Sequence, residues 1–434
     1  MVTVKKVKLG VIGIGYEGTG LIRMIQEGKC PEIQVTAVAD INPERLQWAE
    51  TLGPDVGRFS NAEEMLDSGL IEAALVAVPH YDHPRYAMEC MKRGLHVLVE
   101  KPAGVYTRQV REMNAMAARS SVKFGMMFNQ RTNCIYRKMR ELVKGGSLGD
   151  IKRTNWIITN WYRPQAYYDS GDWRATWSGE GGGVLLNQCP HNLDLWQWIC
   201  GMPVQVEAHM RFGRWHDIEV EDDVTAYVEY ANGATGTFVT TTGDFPGSNR
   251  FEVTLEKGKL LAEDGKLILW ETAVSEPEFS KTNTMPFGQP ACTRIEVGTD
   301  GQSPQHAGVM NAFAAAVLRD EPMGKVVLMP FSLNYSNQSM LKDFPILFGN
   351  IYRYFFPYSL LDVPQKADTM PVATTVFEVG ESASINSVGD ELSISAPDGN
   401  VASYGSFPEK ITLTAPGAYT LSHRLISGRE LKRN

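Results

Sequence analysis

Several short stretches of this chain hold residues whose types and spacing could do chemistry around a bound nucleotide. Gly13-Ile14-Gly15-Tyr16-Glu17-Gly18 has the spacing G-x-G-x-x-G and lies between the apolar run KLGVI and a helix-period segment. Glycines so placed allow a tight turn and let the backbone approach a pyrophosphate, while the following helix N-terminus attracts its charge. Asp40 closes the next apolar run, VTAVAD, near the distance at which a carboxylate holds a ribose 2′-hydroxyl. The same carboxylate would repel a 2′-phosphate, which favours NAD over NADP. In VEKPAG, Val99 to Gly104, a lysine stands between a carboxylate and a proline directly after the apolar run GLHVLV. That run reads as a short buried strand, so Glu100 and Lys101 fall at the carboxyl end of a parallel sheet, where open α/β sheets bind their ligands. A third strand end, VAVPHYDHP, supplies a loop from Pro79 to Pro84 that would pass beside adenosine and nicotinamide. His80 and His83 on it are either cofactor neighbours or ordinary loop residues.

The elements that must position these residues are legible as changes of rhythm. Over roughly the first 125 residues, KLGVIGIG, IQVTAVAD, IEAALVAVP, HVLVEKP and VKFGMMF alternate with amphipathic stretches. This is a βαβ pattern, and it predicts a doubly wound parallel sheet with helices on both faces and right-handed connections. From about Tyr136 the texture differs. YRKMRELVKGGSLGDI reads as a helix ending at glycines, and VQVEAHMRF, DVTAYVEYANGATGTFVTTTG and RFEVTLEKGKLLAEDGKLILW alternate at period two with N-G and D-G turns. An α+β domain with an antiparallel sheet is expected there. HAGVMNAFAAAVLRD, His306 to Asp320, predicts a further helix stopped by Pro322. The expected organisation is a nucleotide domain over 1–128, a second domain over 129–325, and an atypical extension over 326–434 with a small β-sandwich near 372–426.

The 434 residues, 43% hydrophobic, suffice for more than one domain. A net charge of −8, with no run of Lys or Arg beyond two, argues against nucleic acid or an anionic membrane as partner. Six cysteines form no C-x-x-C pair, so neither a disulfide framework nor a structural metal is expected, and a reducing cytoplasm fits. No apolar run reaches 18 uninterrupted residues, and the basic start leads into a glycine-punctuated strand rather than a signal peptide.

Taken together, GVIGIGYEG, VAVPHYDH, VLVEKPAG, FNQR followed by LVKGGSLGDI, and GDWRATWSGEGGGVLLNQCPHNLDLWQWICGMPVQVEA resemble the Gfo/Idh/MocA oxidoreductases, over about residues 7–325. The resemblance implies a Rossmann domain followed by a domain with an open, mostly antiparallel sheet, NAD as cofactor, a sugar or polyol site between the domains, and a homo-oligomer. It implies that Lys101, in the E-K-P motif, stands near the nicotinamide and the reacting hydroxyl. The family's second element, an Asp followed four residues later by a His, falls on Asn187 and His191. Asn187 departs from the pattern. On a helix, residues 187 and 191 share a face, so Asn187 can orient the imidazole or bind a hydroxyl, but it cannot carry the charge that stabilises an imidazolium. The acid-base work therefore passes to Lys101 and His191, with Asp194 a weaker partner of the histidine.

Between these motifs lies NWIITNWYRPQAYYDSGDWRATW, rich in aromatic faces that suit pyranose C–H surfaces. Tyr162, Arg163 and Trp173, with Asn129 and Arg131, are the expected substrate contacts. The leading functional expectation is hydride transfer between NAD and a secondary hydroxyl of a sugar, glycoside or polyol. Two alternatives stand beside it: a glycosidase that oxidises a sugar transiently, eliminates the aglycone and reduces the ring again, and a non-catalytic NAD-binding protein.

Overall fold

The computed structural model describes residues 5–319 and six strands between Ser382 and Arg433. The chain divides into two compact units, Met1–Ile351 and Tyr352–Asn434.

The first unit begins with β1 (Val7–Ile12), α1 (Tyr16–Gln26), β2 (Ile33–Ala39), α2 (Pro43–Trp48), β3 (Gly57–Phe59), α3 (Ala62–Asp67), β4 (Ala73–Val76), α4 (His83–Lys92), β5 (His96–Val99), α5 (Thr107–Arg119) and β6 (Phe124–Met126). The six strands lie in the order β3-β2-β1-β4-β5-β6, every pair parallel. Strand side chains alternate between faces: Ala74 and Val76 pack with Met65, Ala87 and Met113 of α3, α4 and α5 on one side. Ala73 and Leu75 pack with Leu21 and Ile22 of α1 on the other. Burial on both faces is why these strands read as unbroken apolar runs rather than alternating ones.

The second layer system follows, with α6 (Cys134–Lys144), β7 (Ile151–Ile158), α7 (Gln165–Tyr168), α8 (Pro190–Cys200), β8 (Gln205–Phe212), β9 (Glu221–Glu229), β10 (Thr235–Thr241), β11 (Asn249–Leu255), β12 (Gly258–Glu263), β13 (Lys266–Thr272), α9 (Glu276–Thr282) and β14 (Cys292–Glu296). The eight strands form one sheet, β14-β13-β12-β11-β7-β10-β9-β8, antiparallel except where β10 runs parallel to β7. Its inner face is aromatic: Trp156 stacks on Phe251 with centroids 4.1 Å apart, and Trp196 of α8 lies on Phe238. The indole N–H groups are satisfied, Trp156 by Asn249 Oδ1 and Trp196 by Thr154 Oγ1, both at 3.0 Å.

The helix α10 (Gln305–Arg319) returns to the first sheet rather than staying with the second. Val309, Met310, Phe313 and Ala314 complete the core beside α1, against Leu9 and Val11. Sequence order had placed this helix with the second domain, because nothing in HAGVMNAFAAAVLRD says which sheet its apolar face meets.

In the second unit, the described strands are β15 (Ser382–Ser384), β16 (Glu391–Ser395), β17 (Val401–Tyr404), β18 (Lys410–Thr412), β19 (Thr420–Arg424) and β20 (Glu430–Arg433). They pair antiparallel as β15-β18 and as β17-β16-β19-β20. The expectations for 326–381 lie outside the described residues.

Candidate active site

The turn after β1 is built for a close approach. Gly13 has φ +86°, and a Cβ there would come within 2.5 Å of the Ala77 carbonyl oxygen. A Cβ on Gly18 would fall directly on the Gly13 carbonyl oxygen. α1 starts after Gly15 with no side-chain cap, so its leading N–H groups point into the turn without a side-chain acceptor. Tyr16 is almost fully exposed at its tip. Asp40 is buried at the end of β2, where Oδ2 accepts from the Ile14 N–H at 2.9 Å and Oδ1 from the Asn42 N–H at 2.8 Å. The carboxylate thus braces the glycine turn from the end of β2. Arg45 Nη1 lies 3.3 Å from Asp40 Oδ2 and borders Gly15, a cation that strand-end reasoning did not single out. These features fit a dinucleotide pyrophosphate and ribose.

β5 delivers Glu100 and Lys101, followed by a cis peptide to Pro102. Glu100 is buried. Its Oε2 accepts the Lys101 N–H at 3.1 Å, its Oε1 has no partner among the described residues, and burial pushes its carboxyl up to about 8 against the lowering influence of Lys101. Glu17, Glu100 and His306 bring one ligand atom each within 4.8 Å of one another, and His306 Nε2 lies 3.4 Å from Glu17 Oε1. His306, at the start of α10, also meets the amide of Asn129 at 3.1 Å. Nothing in the local pattern marks this histidine beyond its place at the head of a helix.

Lys101 Nζ donates to the backbone carbonyl of Asn187 at 3.2 Å, spanning 86 residues of chain. Asn187 is not on the regular helix. It belongs to a tight turn over 183–189, and α8 starts only at Pro190, whose missing N–H suits a first helical position. Glu221 holds this turn by accepting the N–H groups of Gly183 at 2.9 Å and Leu185 at 3.1 Å. The Asn187 side-chain amide donates to Glu180 Oε1 and to the Tyr167 hydroxyl. Glu180, the acid inside GEGGG, is not among the residues that the sequence pattern singled out.

His191, second residue of α8, meets Phe128 edge-on, and its Nδ1 has no partner among the described residues. Burial first, then the charges of Lys101 and His306, hold its pKa well below the ordinary histidine value, so the resting imidazole is neutral. His80 is driven down to about 3, chiefly by burial and then by its charged neighbours, with Nδ1 on the Glu180 carbonyl at 3.0 Å. His83 places Nδ1 2.6 Å from the Pro102 carbonyl and Nε2 2.7 Å from that of Val78. It ties the loop after Pro79 to the loop after Lys101 from within, and its ring does not face a cofactor position as the loop reading had allowed.

Arg131 is also placed differently from expectation. Its Nε and Nη2 grip Asp194 Oδ2 and Oδ1 at 2.7 and 2.5 Å, and both side chains are 2% exposed. Asp194 is therefore the partner of Arg131 rather than of His191. Tyr162 and Trp173 are exposed, Trp173 edge-on to His80. Arg163 gives Nη1 to the carbonyls of Trp161 and Tyr162 and lies over the Tyr167 ring at 5.1 Å.

All six cysteines are free, and among the described residues no helix is long and apolar enough to cross a membrane. The family model described as an oxidoreductase family with an NAD-binding Rossmann fold matches residues 7–128, and the GFO/IDH/MocA C-terminal domain matches 136–261. The rhizopine catabolism protein MocA of Rhizobium meliloti is 26% identical over 45% of this chain and 57% of its own length. The scyllo-inositol 2-dehydrogenase (NADP(+)) IolW of Bacillus subtilis is 25% identical over 48% and 55%. The chain thus spans little more than half the length of these relatives. Among solved structures, the WlbA dehydrogenase of Bordetella pertussis, in complex with NADH and UDP-GlcNAcA, superposes with a TM-score of 0.62 at 25% identity, covering 75% of this chain and 91% of that one. Levoglucosan dehydrogenase in complex with NADH shares the fold, at a TM-score of 0.60 and 17% identity over 72% of this chain and 90% of its own. With a glycine turn shaped for a dinucleotide, a lysine tied across to the turn that precedes His191, and both domains matched in order, the chain belongs to the Gfo/Idh/MocA family of oxidoreductases.

Proposed function

We propose that this protein oxidises a secondary hydroxyl of a sugar, glycoside or polyol, using NAD. The observation that carries this reading is the bond from Lys101 Nζ to the Asn187 carbonyl, which draws the end of β5 to a point four residues before His191. The name of the scyllo-inositol 2-dehydrogenase relative, and the UDP-GlcNAcA held by the WlbA dehydrogenase, support the substrate class.

The chemistry that a bound nicotinamide would supply is acceptance of the hydride from the carbinol carbon. The turn Gly13, Gly15, Tyr16, Glu17 and Gly18 and the start of α1 would hold the pyrophosphate, and Asp40 would hold the ribose. Pro79, His80 and Glu100 are the residues that would adjoin the nicotinamide. Lys101 donates a hydrogen bond to the substrate oxygen and stabilises negative charge as the O–H bond weakens. His191, neutral at rest, takes the hydroxyl proton. Asn187 positions the reacting alcohol. Tyr162 and Trp173 offer apolar faces to the ring, and Asn129 and Arg163 offer polar contacts at its edge. The cytoplasm and a homo-oligomer formed through the open face of the second sheet, where Ile157 and Tyr227 are exposed, complete the reading.

The test is an absorbance assay at the reduced-nicotinamide band with NAD and NADP against inositols, aldoses and aryl glycosides. Stoichiometric NADH is expected, and Lys101→Met and His191→Ala are each expected to lose about 10²- to 10⁴-fold in kcat. Aglycone release without net NADH would replace dehydrogenation by redox-neutral cleavage. Tight NADH binding with no turnover would leave a non-catalytic protein.

A further inference from the structure

The Tyr167 hydroxyl stands in an unusual donor balance. Arg174 Nη1 donates to its oxygen at 3.0 Å and Asn187 Nδ2 donates to the same oxygen at 3.3 Å. Neither group can accept a proton, so the phenolic O–H must point away from both. Asn187 has both amide hydrogens engaged, one on Tyr167 and one on Glu180 Oε1. Its orientation is therefore fixed, because turning the amide over would set Oδ1 against a carboxylate. Among the described residues no protein donor meets Asn187 Oδ1.

The anchor of the arrangement is Glu180, 2% exposed, whose Oε2 accepts the Ala175 N–H at 2.7 Å. Burial raises its pKa, while that N–H, Arg174, Lys101 and the Asn187 amide all favour the ionised form. Arg174 is steadied in turn by Ser170 Oγ at 3.1 Å from Nε, and it lies over the Tyr167 ring at 4.6 Å.

We infer that Tyr167 and Asn187 form a recognition site for a neutral hydroxyl of the substrate, with Tyr167 donating to the hydroxyl oxygen and Asn187 Oδ1 accepting its proton. One donor beside one acceptor matches an alcohol, which both gives and takes a hydrogen bond. A carboxylate or phosphate leaves Asn187 Oδ1 without a donor, and an ammonium leaves the phenolic O–H without an acceptor. The site lies beside Lys101, whose ammonium is held by the same Asn187 through its carbonyl. Glu180 and Arg174 act as positioning residues. The inference rests on the proposed sugar or polyol activity and names which side chains select the substrate.

The experiment compares wild type, Tyr167→Phe and Glu180→Gln on myo-inositol, D-glucose, D-xylose and methyl β-D-glucopyranoside with NAD, followed by monodeoxy analogues of whichever compound is oxidised. Tyr167→Phe keeps the ring that packs on Tyr168 at 5.1 Å, and circular dichroism checks its fold. Its KM is expected to rise about tenfold, the loss of one hydrogen bond, with kcat within about threefold. One deoxy analogue should be penalised in wild type and not in Tyr167→Phe. Glu180→Gln, which loosens the Asn187 amide, should blunt the same discrimination. Unchanged kcat/KM in Tyr167→Phe, or an equal loss across all deoxy analogues, overturns the assignment alone. If wild type neither oxidises nor binds any of these compounds, the underlying sugar or polyol reading fails and the assignment with it.

Discussion

Removing the carboxylate opposite Arg131 should destabilise the first unit severely, and removing both charges should not. Arg131 and Asp194 lie 63 residues apart in sequence, form two bonds of 2.7 and 2.5 Å, and are each 2% exposed. The guanidinium also lies near the Phe128 and Trp198 rings, at 5.6 and 5.3 Å. Asp194→Asn therefore removes the negative charge that accepts two N–H groups of a buried guanidinium, a change that typically costs about 3–5 kcal/mol. Native proteins have about 5–15 kcal/mol in all, so this is a large fraction. At about 2 °C per kcal/mol for a unit of this size, the melting temperature should fall by about 8 °C. Arg131→Met should do comparable harm, because it leaves the Asp194 carboxylate buried without its partner. The double variant Arg131→Met/Asp194→Leu fills the space with apolar atoms and should return to within about 2 kcal/mol of wild type. Urea denaturation of wild type, Arg131→Met, Asp194→Leu and the double variant gives the coupling, with Asp194→Asn measured beside them. Additive losses, with the double variant the least stable, would refute the ion-pair account. A double variant that regained stability while losing substrate affinity would restore Arg131 as a substrate contact.

Three further outcomes follow from the site. Gly18→Ala places a methyl group on the Gly13 carbonyl oxygen, so NADH affinity, read by energy transfer from tryptophan, should fall at least about tenfold. Glu100, whose carboxyl is raised from 4.5 to about 8, stays protonated in the folded protein while the unfolded chain ionises. Its contribution to stability is thus full below about pH 4.5 and is lost as pH rises toward 8, so the wild-type melting temperature should decline across pH 5–8 more steeply than that of Glu100→Gln. Asp40→Ser frees Arg45 from its carboxylate neighbour, and the ratio of NADP to NAD affinity should rise about tenfold even as both weaken through loss of the Ile14 brace. An unchanged ratio by calorimetric titration would remove Arg45 from the ribose site.

The sequence made the first sheet plain because each strand is buried on both faces, which leaves a short apolar run bounded by turn residues at every βα unit. It was less informative where the deciding contact is long-range. Nothing local to HAGVMNAFAAAVLRD distinguishes packing on the first sheet from packing on the second. Nothing local to FNQR indicates that Arg131 faces an aspartate in a helix 63 residues away. The glycine turn and Lys101 were legible because their roles depend on backbone geometry and strand position, which sequence order encodes. Glu180 was not, because its role depends on two partners, Ala175 and Asn187, that meet it only once the turn over 183–189 is folded.

The charge state of the cleft then bears on direction. His80, His83 and His191 are all displaced toward the neutral form, burial being the largest cause for each and Lys101 a contributor to all three. A histidine–aspartate pair would hold a proton ready for reduction of a carbonyl. Here the position that the family resemblance gives to an Asp is held by the neutral Asn187, and Glu180 engages the asparagine amide. His191 is consequently an acceptor at rest, suited to receive the proton of an alcohol, and carbonyl reduction must first protonate it against both burial and the Lys101 charge. Alcohol oxidation should therefore hold its rate as pH rises above neutrality, while carbonyl reduction should grow steadily slower, and the separation of the two profiles should shrink when Asn187→Asp adds a negative charge to the turn that leads into α8.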